Sequence, residues 1–122
     1  MSDVFLPVRD VYRSMEWYEK VLGFRRLRLN EKRGAAGMTT GDGTVGFCLV
    51  EAHPFKPVEF PPNKFEVEFS FNLATDDIDA AHKKLDDAGV DLDEITPSFD
   101  GTFRCFSFRD PDGNRWSVVQ NG

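Results

Sequence analysis

The side chains in this sequence with the means to do chemistry are two histidines, two cysteines and a set of arginines interleaved with apolar residues. His53 opens a proline-rich segment just after a strand-like run, a place that suits an exposed or interface residue better than a metal ligand or proton shuttle. His82 stands beside Ile78 and Leu85 at helical spacing, so it is expected on the flank of a helix, outside any cavity. Cys48 and Cys105 lie in strand-like runs far apart. A thiol nucleophile needs a base or a helix N-terminus beside it. No such partner stands near either cysteine, and the spacing makes neither a zinc clip nor an obvious disulfide, so buried unreactive thiols are expected. Arg26 and Arg28 alternate with Leu27 and Leu29, which predicts that both face the same side of a sheet as Arg115. Such guanidiniums could clamp an anionic ligand. Pairing with Asp3, Glu66 or Glu68 is the preferred expectation, because charges on a partly buried face need opposite partners.

The elements that must hold these residues can be read from periodicity. "DVFLPV" alternates, with Val4, Leu6 and Val8 on one side and Asp3 and Phe5 on the other. From Asp10, an N-cap, the positions Val11, Met15, Tyr18 and Leu22 keep helical spacing, and Gly23 supplies a stop. "RRLRLNE", "GMTT" and "TVGFCLVE" follow as strands divided by the glycine-rich pieces "RGAAG" and "GDG". After the proline-rich linker 54–66 the order recurs: alternating "FEVEFSFNLA", a helix from Asp77 with Ile78, Ala81 and Leu85 inward, Gly89, then strand-like "DLDEI", "FRCFSF" and "RWSVV". In the last hairpin, "FRDPDGNRWSVV", Pro111 presets a turn φ, Asp110 and Asp112 can bind nearby backbone, and Gly113 accepts a positive φ.

The halves therefore share a βαβββ pattern, module 1 at about 1–53 and module 2 at about 67–122, closed by the matching runs "GDGTVGFCLVE" and "DPDGNRWSVVQ". A chain of 122 residues has room for one domain. The modules are expected to pair into an α+β fold with a curved mixed sheet, helices on its outer face and a ligand site on the concave face. Alternation turns Trp116 and Val118, and Phe71 and Leu73, toward the helices. It leaves Phe5, Cys48, Val50, Ser70, Asn72, Phe103, Cys105, Ser107, Arg115 and Ser117 on the concave face as the candidate ligand contacts. Phe5, Phe103 and Val50 would make the lining apolar. Phe55, Val58 and Phe60 in the linker would cover it or pack on a second subunit.

The formal net charge of −6, with no Lys/Arg cluster, argues against nucleic acid or an anionic membrane as partner. Neither a leader nor a bilayer-length apolar run stands out, so the cytoplasm is the expected location.

The runs "LPVRDVYRSMEWYEKVLGF", "LATDDIDAAHKKLDDAGV" and "FSFRDPDGNRWSVVQ", in this order, resemble the vicinal oxygen chelate superfamily of glyoxalases, bleomycin-resistance proteins, fosfomycin-resistance transferases and extradiol dioxygenases. Metal-using members draw histidine, glutamine and glutamate ligands from equivalent strands of both halves. Those positions fall here on Asp3, Cys48, Ser70 and Ser117, and a serine hydroxyl is a poor ligand for a first-row divalent ion. The resemblance thus implies a metal-free homodimer without a cofactor that binds a small organic molecule. The alternative it leaves open is a glyoxalase-type lyase or isomerase. Such an enzyme would use a displaced metal site drawn from Asp3, Cys48, Glu68 or His53, or acid/base chemistry by Asp3 or Glu68.

Overall fold

The computed structural model describes residues 3–69, 71–98 and 101–121. The chain forms two compact units, Met1–Pro57 and Val58–Gly122. Strand β1 (Asp3–Val8), helix α1 (Val11–Leu22) and strands β2 (Arg25–Asn30), β3 (Ala35–Thr39) and β4 (Gly46–Glu51) build the first unit. Its sheet has the order β1-β4-β3-β2, with β1 parallel to β4 and the other pairs antiparallel. The side chain of Asp10 caps α1 by accepting from the N–H groups of Tyr12 (3.0 Å) and Arg13 (3.1 Å). Gly23, at φ 71°, ends the helix in the left-handed region that a Cβ disfavours. The inward stripe Val11, Met15 and Tyr18 is buried against Leu6, Val8, Ala36, Met38 and Leu49. Tyr18, Phe24 and Phe47 stack in series, with ring centroids 5.6 and 5.3 Å apart.

The second unit holds β5 (Phe71–Ala74), α2 (Ile78–Asp87), β6 (Asp91–Leu92), β7 (Thr96–Pro97), β8 (Phe103–Arg109) and β9 (Arg115–Asn121). The order β5-β9-β8-β6, with β7 also on β8, repeats the topology of the first unit, including the parallel pair of first and last strands. Asp77 caps α2 through Ala80 N–H (3.0 Å). Trp116, fully buried, lies between Phe71 (4.8 Å) and Phe108 (6.2 Å), above the buried Ile78 and Leu85 of the helix. Both units thus have the mixed sheets expected from the sequence; the first has the βαβββ order, and the second follows it with two short strands, β6 and β7, where the first has β2.

Local departures from that expectation have local causes. Among the described residues of "FEVEFSFNLA", strand is formed by Phe71–Ala74. Upstream, Glu66 takes φ 62°, which interrupts a strand. The Asn63 amide also binds both backbone groups of Val67, accepting from its N–H (3.3 Å) and donating to its carbonyl (2.9 Å), groups that a ladder would otherwise use. In "DLDEI" only Asp91–Leu92 is strand, and β7 begins just past the run at Thr96. The glycine-rich "RGAAG" is partly strand, since β3 begins at Ala35 after a single 3-10 turn over Glu31–Arg33. Gly34 is required there: a Cβ would meet the Glu51 carboxylate at 2.8 Å.

The arginines of β2 need a larger correction. A bulge between Arg26 and Arg28 shifts the register at Leu27, and one extra residue reverses the facing of everything beyond it. Arg26 therefore lies on the helix side, paired with Glu19 of α1. Arg28 stands over Gly37 on the opposite face, its Cγ 3.5 Å from where a Cβ would be. The two guanidiniums do not act together, and Glu19, not Asp3, Glu66 or Glu68, is the partner of Arg26.

Candidate functional site

The face of each sheet opposite its helix is set by cross-strand register. In the first unit, Phe5, Cys48 and Gly37 lie side by side across β1, β4 and β3, with Arg28 beyond them on β2. Phe5 is 71% exposed, while Cys48 and Val50 are half-buried. In the second unit, Asn72, Ser117 and Ser107 form the corresponding row across β5, β9 and β8. One pleat along, Ala74, Val119, Cys105 and Thr96 form the next row. Arg115, paired with Arg109 and through it with Asp91, forms the row on the other side.

Leu92, Asp93, Glu94 and Thr96, with Cys105, Phe106, Ser107 and Arg115, line an open groove of about 550 Å³. Asp93 organises it. Its N–H donates to Ser107 O (2.8 Å), and its carbonyl accepts from His82 Nε2 (3.0 Å). Its carboxylate receives both terminal nitrogens of Arg109 (3.0 and 3.2 Å) and Nη2 of Arg115 (3.3 Å). Arg115 Nη2 also meets Glu68 at 2.9 Å. The bidentate carboxylate on Arg109 raises that guanidinium's pKa further above its ordinary value. Arg115 thus pairs with Glu68, one of the partners expected for it. His82 stays on the flank of α2, its ring edge-on to Phe106 at 4.9 Å, and positions the groove wall through Asp93.

Of the expected ligand contacts, the structure gathers Cys105, Ser107 and Arg115 in this groove. Asn72 and Phe103 are exposed on the same face of that unit. Ser117 lies on that face but is only 2% exposed, so its hydroxyl is covered and does not line open space. Phe5, Cys48 and Val50 belong to the first unit, and Ser70 lies outside the described residues. Leu92, Asp93, Glu94, Thr96 and Phe106 complete the groove and were not expected. Alternation in "DLDEI" carried a usable signal for Asp93, which falls with Asp91 on the side of Arg109 and Arg115. Nothing in the sequence marked Glu94. Of the linker aromatics, Phe55 carries the Arg9 guanidinium 4.2 Å above its ring, and Phe60 is exposed.

The positions that the resemblance assigns to metal ligands include Cys48 on β4 and Ser117 on β9. The side chain of Asp3, like Ser70, lies outside the described residues. Among the described residues no three His, Cys, Asp or Glu side chains gather closely enough to hold a metal ion. A thiol and a covered hydroxyl do not match the imidazole and carboxylate donors of such a centre. Also among the described residues, no helix is long and apolar enough to cross a membrane.

The profile of the Glyoxalase/Bleomycin resistance protein/Dioxygenase superfamily matches residues 1–118, and the chain belongs to that superfamily. No curated protein matches the chain in sequence. Among solved structures, an integron cassette protein from the mobile metagenome of a Halifax Harbour sewage outfall superposes with a TM-score of 0.80 at 19% identity, over 98% of this chain and 97% of the other. TnmS3, an antibiotic binding protein from Streptomyces sp. CB03234, has a TM-score of 0.77 at 25% identity, over 98% and 93%. The fosfomycin resistance protein FosX from Listeria monocytogenes has a TM-score of 0.75 at 14% identity, over 100% and 93%.

Proposed function

We propose that this protein is a metal-independent small-molecule-binding member of its superfamily, a cytoplasmic homodimer that holds an organic ligand on the helix-free face of its sheets. In the second unit the ligand occupies the groove lined by Cys105, Ser107 and Arg115. The observation that carries this reading is the groove itself, a concave space with a mixed polar and apolar lining and an ion-paired wall. The donor set at Cys48 and Ser117 supports metal independence, since neither offers the imidazole or carboxylate donors that the metal centres of this superfamily use. The likeness to TnmS3, an antibiotic binding protein, supports binding as the task.

The test is a thermal-shift screen of organic ligands with and without chelator, beside metal analysis of protein purified without chelator. The expected result is ligand-induced stabilisation that chelator leaves unchanged and that Ser107→Trp abolishes by filling the groove. Close to one bound metal per chain, with turnover lost to chelator, would favour the glyoxalase-type lyase or isomerase instead.

A further inference from the structure

We propose that the helix-free face of the first unit selects an organic acid, a carboxylate on a flat apolar body, and that Arg25, Arg28 and Thr39 hold the carboxylate. This rests on the binding reading above and assigns the charge of the ligand and the unit that reads it.

The bulge in β2 creates the arrangement. With one extra residue between Arg26 and Arg28, Arg25 pairs with Thr39 and Arg28 with Gly37. Thr39 and Gly37 stand two residues apart on β3, about 7 Å, so both arginines rise from neighbouring positions of one face. The Arg28 stem lies over Gly37, its Cγ 3.5 Å from where a Cβ would be, and Arg25 Nη2 comes within 3.0 Å of where a Cβ of Gly43 would be, in the next hairpin. Both side chains are exposed, and neither has an ion-pair or hydrogen-bond partner among the described residues. Asp42, the carboxylate of that hairpin, is turned to Thr40 and Thr44 instead.

Thr39 points to the same ligand independently of charge. It shares the face of Arg25, is only 2% exposed, and its Oγ1 has no hydrogen-bond partner. A hydroxyl kept from water without a partner destabilises a fold, and an acceptor brought by a ligand satisfies it. Because Arg25, its cross-strand neighbour, is tied to nothing, a carboxylate reaches that hydroxyl without breaking an existing pair. The same group supplies the negative charge that the two guanidiniums lack. An ammonium ligand would meet two like charges.

The rest of the face sets the body of the ligand. The row that ends at Arg28 runs through Gly37 and Cys48 to Phe5, which is 71% exposed. One glycine and one small side chain leave a low floor between an aromatic ring and a guanidinium three strand spacings apart, roughly 14 Å. That span suits a fused-ring acid with its apolar end toward Phe5.

The probe is 2-naphthoate, with 2-naphthamide as its neutral isostere, each titrated into isotopically labelled protein at low ionic strength and followed by amide chemical shifts. The expected result is shifts centred on β1 to β4 and an affinity for the acid about tenfold above that for the amide. Arg25→Gln and Arg28→Gln should each weaken binding of the acid about tenfold and leave the amide unchanged. Thr39→Val should weaken the acid about fivefold while the melting temperature holds or rises, since a methyl replaces an unpartnered hydroxyl of the same shape. Arg26→Gln, an equal change of charge on the opposite face of the same strand, should leave the acid's affinity as it was. No binding of the acid at about 10 mM, equal affinity for acid and amide, or equal losses in Arg26→Gln and Arg28→Gln overturns the proposal. A lowered melting temperature in Thr39→Val overturns the part given to Thr39, and the variants of the exposed β2 arginines test the rest without it. Shifts from the acid confined to the groove of the second unit overturn the proposal and leave the binding reading standing. An empty ligand screen together with no response to either probe overturns both.

Discussion

The hairpins that lead into β4 and β9 occupy the same place in the repeat and use the same device, an aspartate whose side chain gathers the N–H and O–H groups of its own turn. In the first unit Asp42 Oδ1 accepts from Thr40 Oγ1 (2.6 Å), Thr44 N–H (3.0 Å) and Thr44 Oγ1 (2.8 Å), all in an exposed loop. In the second, Asp110 accepts from the N–H groups of Asp112 (2.9 Å) and Asn114 (2.8 Å) and from Asn114 Nδ2 (2.9 Å). Here Asp110, Asp112 and Asn114 are buried, and Asn114 Oδ1 accepts from Val58 N–H (3.0 Å). The hydrogen bonds are alike and their energetic weight is not. A group that water can replace costs little to lose, whereas one that leaves buried donors unpaired costs their full desolvation.

The largest effect expected in this comparison is in the cores behind the hairpins. Trp116→Ala should cost about 3–5 kcal/mol in urea unfolding, because a fully buried ring leaves a cavity that its neighbours cannot close. Phe47→Ala, at the equivalent position of the first unit and 6% exposed, should cost less. A silent Trp116→Ala would mean that the second sheet faces the other way.

Next comes the hairpin itself. Asp110→Ala should cost about 2–4 kcal/mol, since it strands several buried donors at once. Asp42→Ala should move the melting temperature far less, and equal losses would break the burial argument.

A smaller difference is expected at the helix starts. Val11 N–H donates to Glu51 Oε1 at 3.0 Å, and Ile78 N–H donates to Gln120 Oε1 at 2.6 Å, so the last strand of each unit supplies an acceptor to the first turn of its helix. Glu51→Ala and Gln120→Ala should each cost about 1 kcal/mol. Glu51→Gln should retain most of that stability, because an amide oxygen does the same work in the other unit. Denaturant midpoints of the three variants decide it.

The smallest effect is a pH dependence. The Thr40 hydroxyl first, then the N–H and hydroxyl of Thr44, hold the Asp42 carboxyl down to about 2 from its ordinary 3.8. The folded value lies below the unfolded one, so the contribution is complete above the unfolded value and is lost as pH falls through the folded one. The difference in melting temperature between the wild type and Asp42→Asn should be constant from neutral pH to about pH 5 and shrink below about pH 4. A difference that persisted at pH 2 would assign the effect to geometry and not to charge.

Much of this architecture was legible because it is local. Asp10 and Asp77 stand where a cap must stand, just before an apolar stripe of helical period, and Gly113 adopts φ 87° in its turn as the hairpin requires. The facing of Trp116 and Val118 followed from a period of two. Strand limits were less legible. Nothing in "FEVEFSFNLA" shows that Asn63 captures Val67, and nothing in "RRLRLN" marks Leu27 as a bulge. Both depend on which backbone groups find partners in the folded chain. The groove was legible only in part: Cys105, Ser107 and Arg115 lay on a strand face that alternation reveals, while Asp93 and Glu94 came from a short segment whose pairing divides.

By itself the sequence determined the repeat, the helices with their caps, and the apolar rows that the strands bury, because each depends on residues a few positions apart. Tertiary structure alone decided which guanidinium met which carboxylate. Arg26 went to Glu19 across the helix face and Arg115 to Glu68 and Asp93 on the other face. Ion pairing depends on distances of a few ångströms between segments remote in sequence, and a single extra residue in a strand exchanges the sides.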